Sequence, residues 1–204
     1  MLMNQLDQVR MLLNSLIENP QKITLTVCTI RLTPKVKLAD LLNILDHIAK
    51  QGGVLWSISK PKIALSEKHV FYTFYHTLKA FLLNKNISNK FNIEFLLRLT
   101  CKDQISDAIR LAGCSDPVDT FCLYLASNSA SLVKSFLSNL TSHLKQLVTM
   151  LEVSEGQDCY SNFLLHELKV PENEFSLTQY HLSALNSQLK SILTRMALLS
   201  LKKK

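Results

Sequence analysis

The side chains able to do chemistry are five cysteines (Cys28, Cys101, Cys114, Cys122 and Cys159), six histidines, and two aspartates, Asp103 and Asp107, spaced one helical turn apart. A zinc site needs ligands in close pairs such as CxxC or HExxH. The cysteines stand 73, 13, 8 and 37 positions apart and neither motif occurs, so no metal site is assigned. Cys159 and His166 share a helical spacing, but two such residues read as structural. Nucleophilic catalysis needs a nucleophile, a base and an orienting group that converge, and no GxSxG elbow announces one. His69 and His76 lie at i and i+7, a spacing read here as packing. Paired carboxylates can exchange protons, yet Asp103 reads as the N-cap of a short helix and Asp107 as an exposed charge. The four glycines form neither GxGxxG nor GxxxxGK[ST], so no phosphate-cradling loop is present. No catalytic residue and no cofactor are assigned. A thiol enzyme using Cys101 or Cys114 beside a histidine stays open as a rival.

Two interaction features remain. Lysines are interleaved with aromatic residues through Trp56, Lys60, Lys62, Lys68, Phe71, Tyr72, Phe74, Tyr75, Lys79, Phe81, Lys85 and Lys90. Lysines bind phosphates as mobile point charges, and exposed aromatic faces stack on unpaired bases. The same composition also describes a solvated helix whose Phe74 and Phe81 are core. The second feature is a C-terminal stripe, Leu182, Leu185, Leu189, Ile192, Met196 and Leu199, flanked by Leu193 and Leu198. So broad a stripe must bury a second face, either inside its own domain or on a partner.

Periodicity places these residues on elements. Leu2, Leu6, Val9, Leu13, Leu16 and Ile17 predict a helix over 2–18, ended by Asn19-Pro20. A strand is predicted over 23–30, a turn at Pro34, and a helix over 38–51 closed by Gly52-Gly53. A short strand over 54–58 and a helix capped by Ser66 and running to Leu83 come next. Asn92 to Thr100 (NIEFLLRLT) reads as a strand, 103–112 as a short helix, and 120–125 as a strand. Val133, Leu137, Leu140, Leu144, Leu147 and Leu151 predict one long helix. The order predicts an α+β fold: a single mixed β-sheet packed by helices, with a helix-rich C-terminal half.

Composition sets the frame. The chain has 204 residues, 47% of them hydrophobic and 19% charged, which is globular and long enough for one core without disulfides or metal. The net charge of +7 is unevenly placed: residues 1–100 hold 13 basic and 6 acidic side chains, residues 101–204 ten of each. An acidic stretch, with Glu152, Glu155, Asp158, Glu167, Glu172 and Glu174 against Lys169 alone, precedes a basic tail ending in Lys202, Lys203 and Lys204. A basic half beside an acidic segment suits both a polyanion and a basic protein partner. No apolar run approaches the span of a bilayer, and Met1 to Ile17 is interrupted by Asp7 and Arg10, unlike a signal peptide. The odd cysteine count then reads as reduced thiols, and the sequons at Asn86 and Asn139 as accidental.

From Ile63 to Leu125 the chain resembles the kinase-binding subunit family of the KEOPS (EKC) complex. The resemblance rests on SEKHVFYTFYHTLKAF, a basic linker, IEFLLRLT, DQISDAIRLAGC and DTFCLYLA, with Glu94, Ile105, Ser106, Ala108 and Gly113 in the family's order. SILTRMALLSL resembles the closing helix. The likeness begins near residue 22, so residues 1–19 are expected to be a helical extension and 20–204 a single domain. The linker departs from the family in carrying only Lys85 and Lys90. The resemblance implies a non-catalytic accessory subunit that binds the small atypical kinase of the complex as a 1:1 heterodimer within a larger assembly. It implies help in holding tRNA, including its single-stranded 3′ end, for threonylcarbamoyl modification of the adenosine beside the anticodon, in the nucleus and cytoplasm. No membrane is implied. The expected kinase face is Leu185, Leu189, Ile192 and Met196; the expected tRNA face is Lys60, Lys62, Lys79, Lys85, Lys90 and Arg98. An interaction module of the same class with another partner and no RNA is the alternative.

Overall fold

A computed structural model describes residues 5–18, 23–155, 159–161, 163–168 and 187–202. Among the described residues the sheet has four strands, β1 (Thr24–Val36), β2 (Leu55–Ser59), β3 (Val118–Ser127) and β4 (Met150–Glu155), in the order β2-β3-β1-β4. All three pairings are antiparallel. The class is α+β, but the strand directions do not mix. Pro34 falls inside β1 rather than at a turn, and the β1–β3 register breaks between Arg31 and Val36. A proline has no N–H for the ladder, which accounts for the break there.

Alternation along the strands separates two cores. One face carries Cys28, Ile30, Leu32, Trp56, Ile58, Phe121, Leu123 and Leu125. Two helices cover it: α2 (Leu38–Gly52) with Leu41, Leu45 and Ile48, and α6 (Ala130–Leu144) with Val133, Phe136, Leu140 and Leu144. Gly53 ends α2 in the left-handed region at φ 62°, which an L side chain adopts only with strain. The opposite face, with Leu55, Cys122, Tyr124 and Ala126, lies under α1 (Gln5–Glu18), α3 (Glu67–Leu82), α4 (Phe91–Thr100) and α5 (Ile105–Ala112). Val9 and Leu12 of α1 belong to this core, so the N-terminal helix packs on the domain. The described remainder holds a one-turn α7 (Phe163–Glu167) and α8 (Ser187–Lys202).

Two elements differ from the sequence reading. Residues 91–100 form α4, not a strand. A continuous apolar run fits a buried strand or a buried helix equally, and period alone cannot separate them. Here Phe91, Phe95 and Leu99 face the core at i, i+4 and i+8, and Glu94 bonds Arg98 across one turn. The long helix anticipated to Leu151 stops at Leu144, and the chain turns into β4. Thr149 donates both its N–H and its hydroxyl to the Thr33 carbonyl, at 2.8 and 2.9 Å, and so starts the strand.

Rings lock α3 and α4 to the sheet: Phe74 to Phe95 at 4.6 Å and Phe95 to Tyr124 at 5.0 Å between centroids. The Tyr124 hydroxyl is satisfied by Ser59 at 2.9 Å. Truncating Phe95, wholly buried between helix and sheet, removes this joint. Phe95→Ala is expected to lower unfolding free energy by about 3–5 kcal/mol, read as a reduced midpoint in urea with an unchanged slope.

Candidate nucleic-acid interface

Helix α3 starts where Ser66 accepts the His69 N–H at 3.3 Å, and it carries the aromatic and basic residues. Phe74 and Trp56 are core, while Phe71, Tyr75 and Phe81 are partly buried against it. Of the expected tRNA residues, Lys62, Lys79 and Lys90 are exposed, and Lys60 and Lys85 are half-buried. The lysines fall into two groups. Lys60 and Lys62 precede α3; Lys79, in its last turn, and Lys85 and Lys90, in the following loop, lie at its far end. A 16-residue helix is about 24 Å long, so the groups are separated. Lys60 Nζ stands 5.5 Å from the Phe163 ring centre and Lys79 Nζ 5.9 Å from that of Tyr75. The Lys62 carbonyl accepts from the Ser161 hydroxyl at 2.6 Å.

Arg98 is not on this surface. Its side chain and that of Glu94 are both 0% exposed. Arg98 Nε and Nη2 donate to Glu94 Oε1 at 2.9 and 2.7 Å. Glu94 Oε2 accepts the N–H groups of Ile87 and Ser88, at 2.7 and 2.9 Å. Arg98 Nη1 reaches the Met196 carbonyl of α8 at 3.4 Å, and Nη2 the Lys85 carbonyl at 3.5 Å. The pair therefore supports the lysine-bearing 85–90 loop from beneath. Sequence reasoning missed it, although the i, i+4 opposite charges inside an apolar run were its signal. Two of the other resemblance positions also have structural causes: Ala108 is wholly buried, and a Cβ at Gly113 would meet the Ile109 carbonyl oxygen at 2.5 Å.

The expected kinase stripe is occupied within the chain. Leu189, Ile192 and Met196 are buried, at 6%, 0% and 0% exposure, as α8 packs on α3 and α4; Leu185 lies outside the described residues. These three cannot form a docking face, because the domain already covers them. The apolar residues α8 turns outward are Leu198 and Leu201, at 48% and 70% exposure.

The thiols are poorly suited to nucleophilic work. Burial pushes Cys101 and Cys114 up to about 12, so little thiolate exists at neutral pH. A hydrogen bond with Cys159, then burial, raises Cys122 as well. Cys159 sits by Thr29 and the Val27 carbonyl, a packing role. Among the described residues no group of three or more His, Cys, Asp or Glu could hold a metal, and no helix is long and apolar enough to cross a membrane. The N-cap position of α5 is Gln104 rather than Asp103, and Asp107 pairs with Arg110 at 3.0 Å.

His69 and His76 stay neutral. Burial lowers His69 to about 3; burial, then Arg98 and Lys79, lowers His76 to about 4. His69 Nδ1 accepts the Leu65 N–H at 3.2 Å, while its Nε2 is buried without a partner. No protein-family model matches the chain, and no curated protein does either.

Two outcomes are expected. Because the folded His69 resists protonation, the unfolded chain binds the extra proton below pH 6.5. Stability is full above that value and declines as pH falls toward about 3. Between pH 6.5 and 5 the loss from His69 is about 2 kcal/mol. Urea unfolding across that range checks it, with a flatter profile in His69→Asn. Separately, Arg98→Ala strands a buried carboxylate and should cost about 3–5 kcal/mol, whereas the paired Glu94→Gln/Arg98→Met should cost clearly less. Equal losses in the two variants would remove the charge pair as the cause.

Proposed function

We propose that this chain is a non-catalytic accessory subunit of the KEOPS/EKC kind. It would bind the small atypical kinase and help hold tRNA for N6-threonylcarbamoyladenosine formation near the anticodon. One observation carries the reading. The segment with the resemblance, Ile63 to Leu125, folds as a packed block, and the Glu94 of its pattern braces the loop that bears Lys85 and Lys90. Lys79, Lys85 and Lys90 form the proposed tRNA face, beside the half-buried Tyr72, Tyr75 and His76. A neutral imidazole among lysines leaves a flat ring for stacking without added charge, which fits an unpaired 3′ end. Lys60 and Lys62 make a second, separate contact. The kinase would dock on the outward side of α8 around Leu198 and Leu201, as a 1:1 pair within a larger complex in nucleus and cytoplasm. The raised thiols weigh against the enzyme rival, and the reading calls for no cofactor.

The first experiment is co-purification with the small atypical kinase, followed by size exclusion. A stable 1:1 complex is expected, lost in Leu198→Glu/Leu201→Glu with the melting temperature retained. No complex from folded protein would return the chain to an interaction module with another partner. For RNA, Lys79→Glu/Lys90→Glu should weaken binding of a single-stranded oligonucleotide and flatten its logarithmic salt slope by about 1.4, two phosphate contacts at about 0.7 each. Unchanged affinity at low salt would exclude this surface.

A further inference from the structure

Arg98 links two regions far apart in sequence, the 85–90 loop and the C-terminal helix. We infer that Glu94 and Arg98 are positioning residues that join the seating of α8 to the shape of the 85–90 loop. A protein partner that holds α8 in place would thereby tighten the lysine surface toward a single-stranded polyanion. The polyanion part rests on the proposed function; the structural coupling does not.

The argument starts from the loop. It packs few large side chains, so its shape depends on its hydrogen bonds. Asn84 turns the chain at φ 53°, and the Lys85 N–H reaches back to the Ala80 carbonyl at 2.7 Å. Beyond that the loop closes on Glu94, which takes two successive amides, Ile87 and Ser88. Ser88 Oγ then accepts the Lys90 N–H at 3.2 Å, carrying the restraint to the second lysine. Glu94 can hold that posture only while Arg98 neutralises it, since a lone carboxylate so deeply buried is driven to move or take up a proton.

Arg98 in turn depends on α8. Beyond Glu94, Arg98 donates to the Lys85 carbonyl in the loop and to the Met196 carbonyl in α8. Ile192, Met196 and Leu199 are buried on the inner side of α8, and the Arg98 side chain beside the Met196 carbonyl is 0% exposed. If α8 lifts, water reaches Arg98, the ion pair weakens, and the two loop amides lose a fixed acceptor. Thermodynamic linkage makes the effect reciprocal: whatever favours the closed loop also favours the seated helix. Helix α8 also has a built-in weak point. Ser191 is wholly buried and its hydroxyl has no partner, so that face holds a desolvated polar group with no compensating bond.

The test perturbs one end and reads the other, by amide hydrogen exchange on the full chain. Ser191→Glu places a charge beneath α8 and should unseat it. Exchange at residues 85–90 is then expected to rise about tenfold along with that of α8, while β3 stays protected. Should Ser191→Glu unfold the whole chain, Leu189→Ala supplies the milder unseating. The deciding background is Glu94→Gln/Arg98→Met, which keeps an oxygen for the Ile87 and Ser88 amides but removes the reach to Met196. There, the same α8 substitution should speed exchange in α8 and leave the loop unchanged. Loop protection that persists in Ser191→Glu while α8 opens would overturn the coupling, as would equal loop loosening in both backgrounds. Binding of a single-stranded oligonucleotide, measured on the same proteins, is expected to weaken with the loop. A loosened loop with unaltered oligonucleotide affinity would overturn the polyanion half alone, leaving the coupling in place.

Discussion

Arg98 and Glu94 are both withdrawn from water, and the arrangement around them is governed by that fact. Removing two opposite charges from solvent costs several kcal/mol for each ion, recovered only where geometry is close and the remaining donors and acceptors are engaged. Both carboxylate oxygens are used, one by the guanidinium and one by two backbone amides. The guanidinium uses its other edge on carbonyls from the loop and from α8. A strand at residues 91–100 would send Glu94 and Arg98 to one face about 13 Å apart. A helix brings them within one turn, and so the helical form of α4 and the closure of the loop are one requirement.

The same economy of polar groups recurs through the second core. Thr73 and Thr77 return their hydroxyls to the carbonyls four residues back, at 2.8 and 2.7 Å, and Thr100 does the same at 2.7 Å. Threonines placed this way can be wholly buried in a helix because each satisfies itself. His69, at the head of that row on α3, meets only half its requirement. Its neutrality follows from burial among groups that offer no negative charge, and this makes the α3 side of the domain the acid-sensitive side. Among the described residues, the side chains that α2 and α6 bury in the other core are all apolar.

Much of the architecture was legible in the sequence because period and punctuation agreed. Ser66 capping α3, Gly53 closing α2 and alternation in β1 and β3 each combine a pattern with a stop signal. The misread elements are those where the two signals parted. Every residue from Glu94 to Thr100 is buried because α4 is enclosed by sheet and helices, and full burial erases the amphipathic signature of a helix. Leu147 and Leu151 continue the spacing of α6 by coincidence, while the edge strand that Leu151 belongs to is defined by pairing with β1, a contact 121 residues away at Arg31–Glu152. No local rule carries that information.

The candidate site divides along the same line. Exposed lysines can be found from composition, since a charge without a partner belongs at the surface, and Lys62, Lys79 and Lys90 are there. A buried charge cannot be found that way, and Arg98 was grouped with the lysines because it shares their sign. Its spacing from Glu94 was the better guide: a carboxylate four residues before an arginine, with apolar neighbours on all sides, marks an ion pair inside a helix. The stripe of α8 poses the converse problem. Leu189, Ile192 and Met196 are apolar for the same physical reason whether the surface they cover belongs to this chain or to another. Only the placement of α8 against α3 and α4 decides between them, and it turns Leu198 and Leu201 outward. A helix whose inner face caps a buried guanidinium and whose outer face is apolar and exposed is suited to transmit what happens on one side to the other.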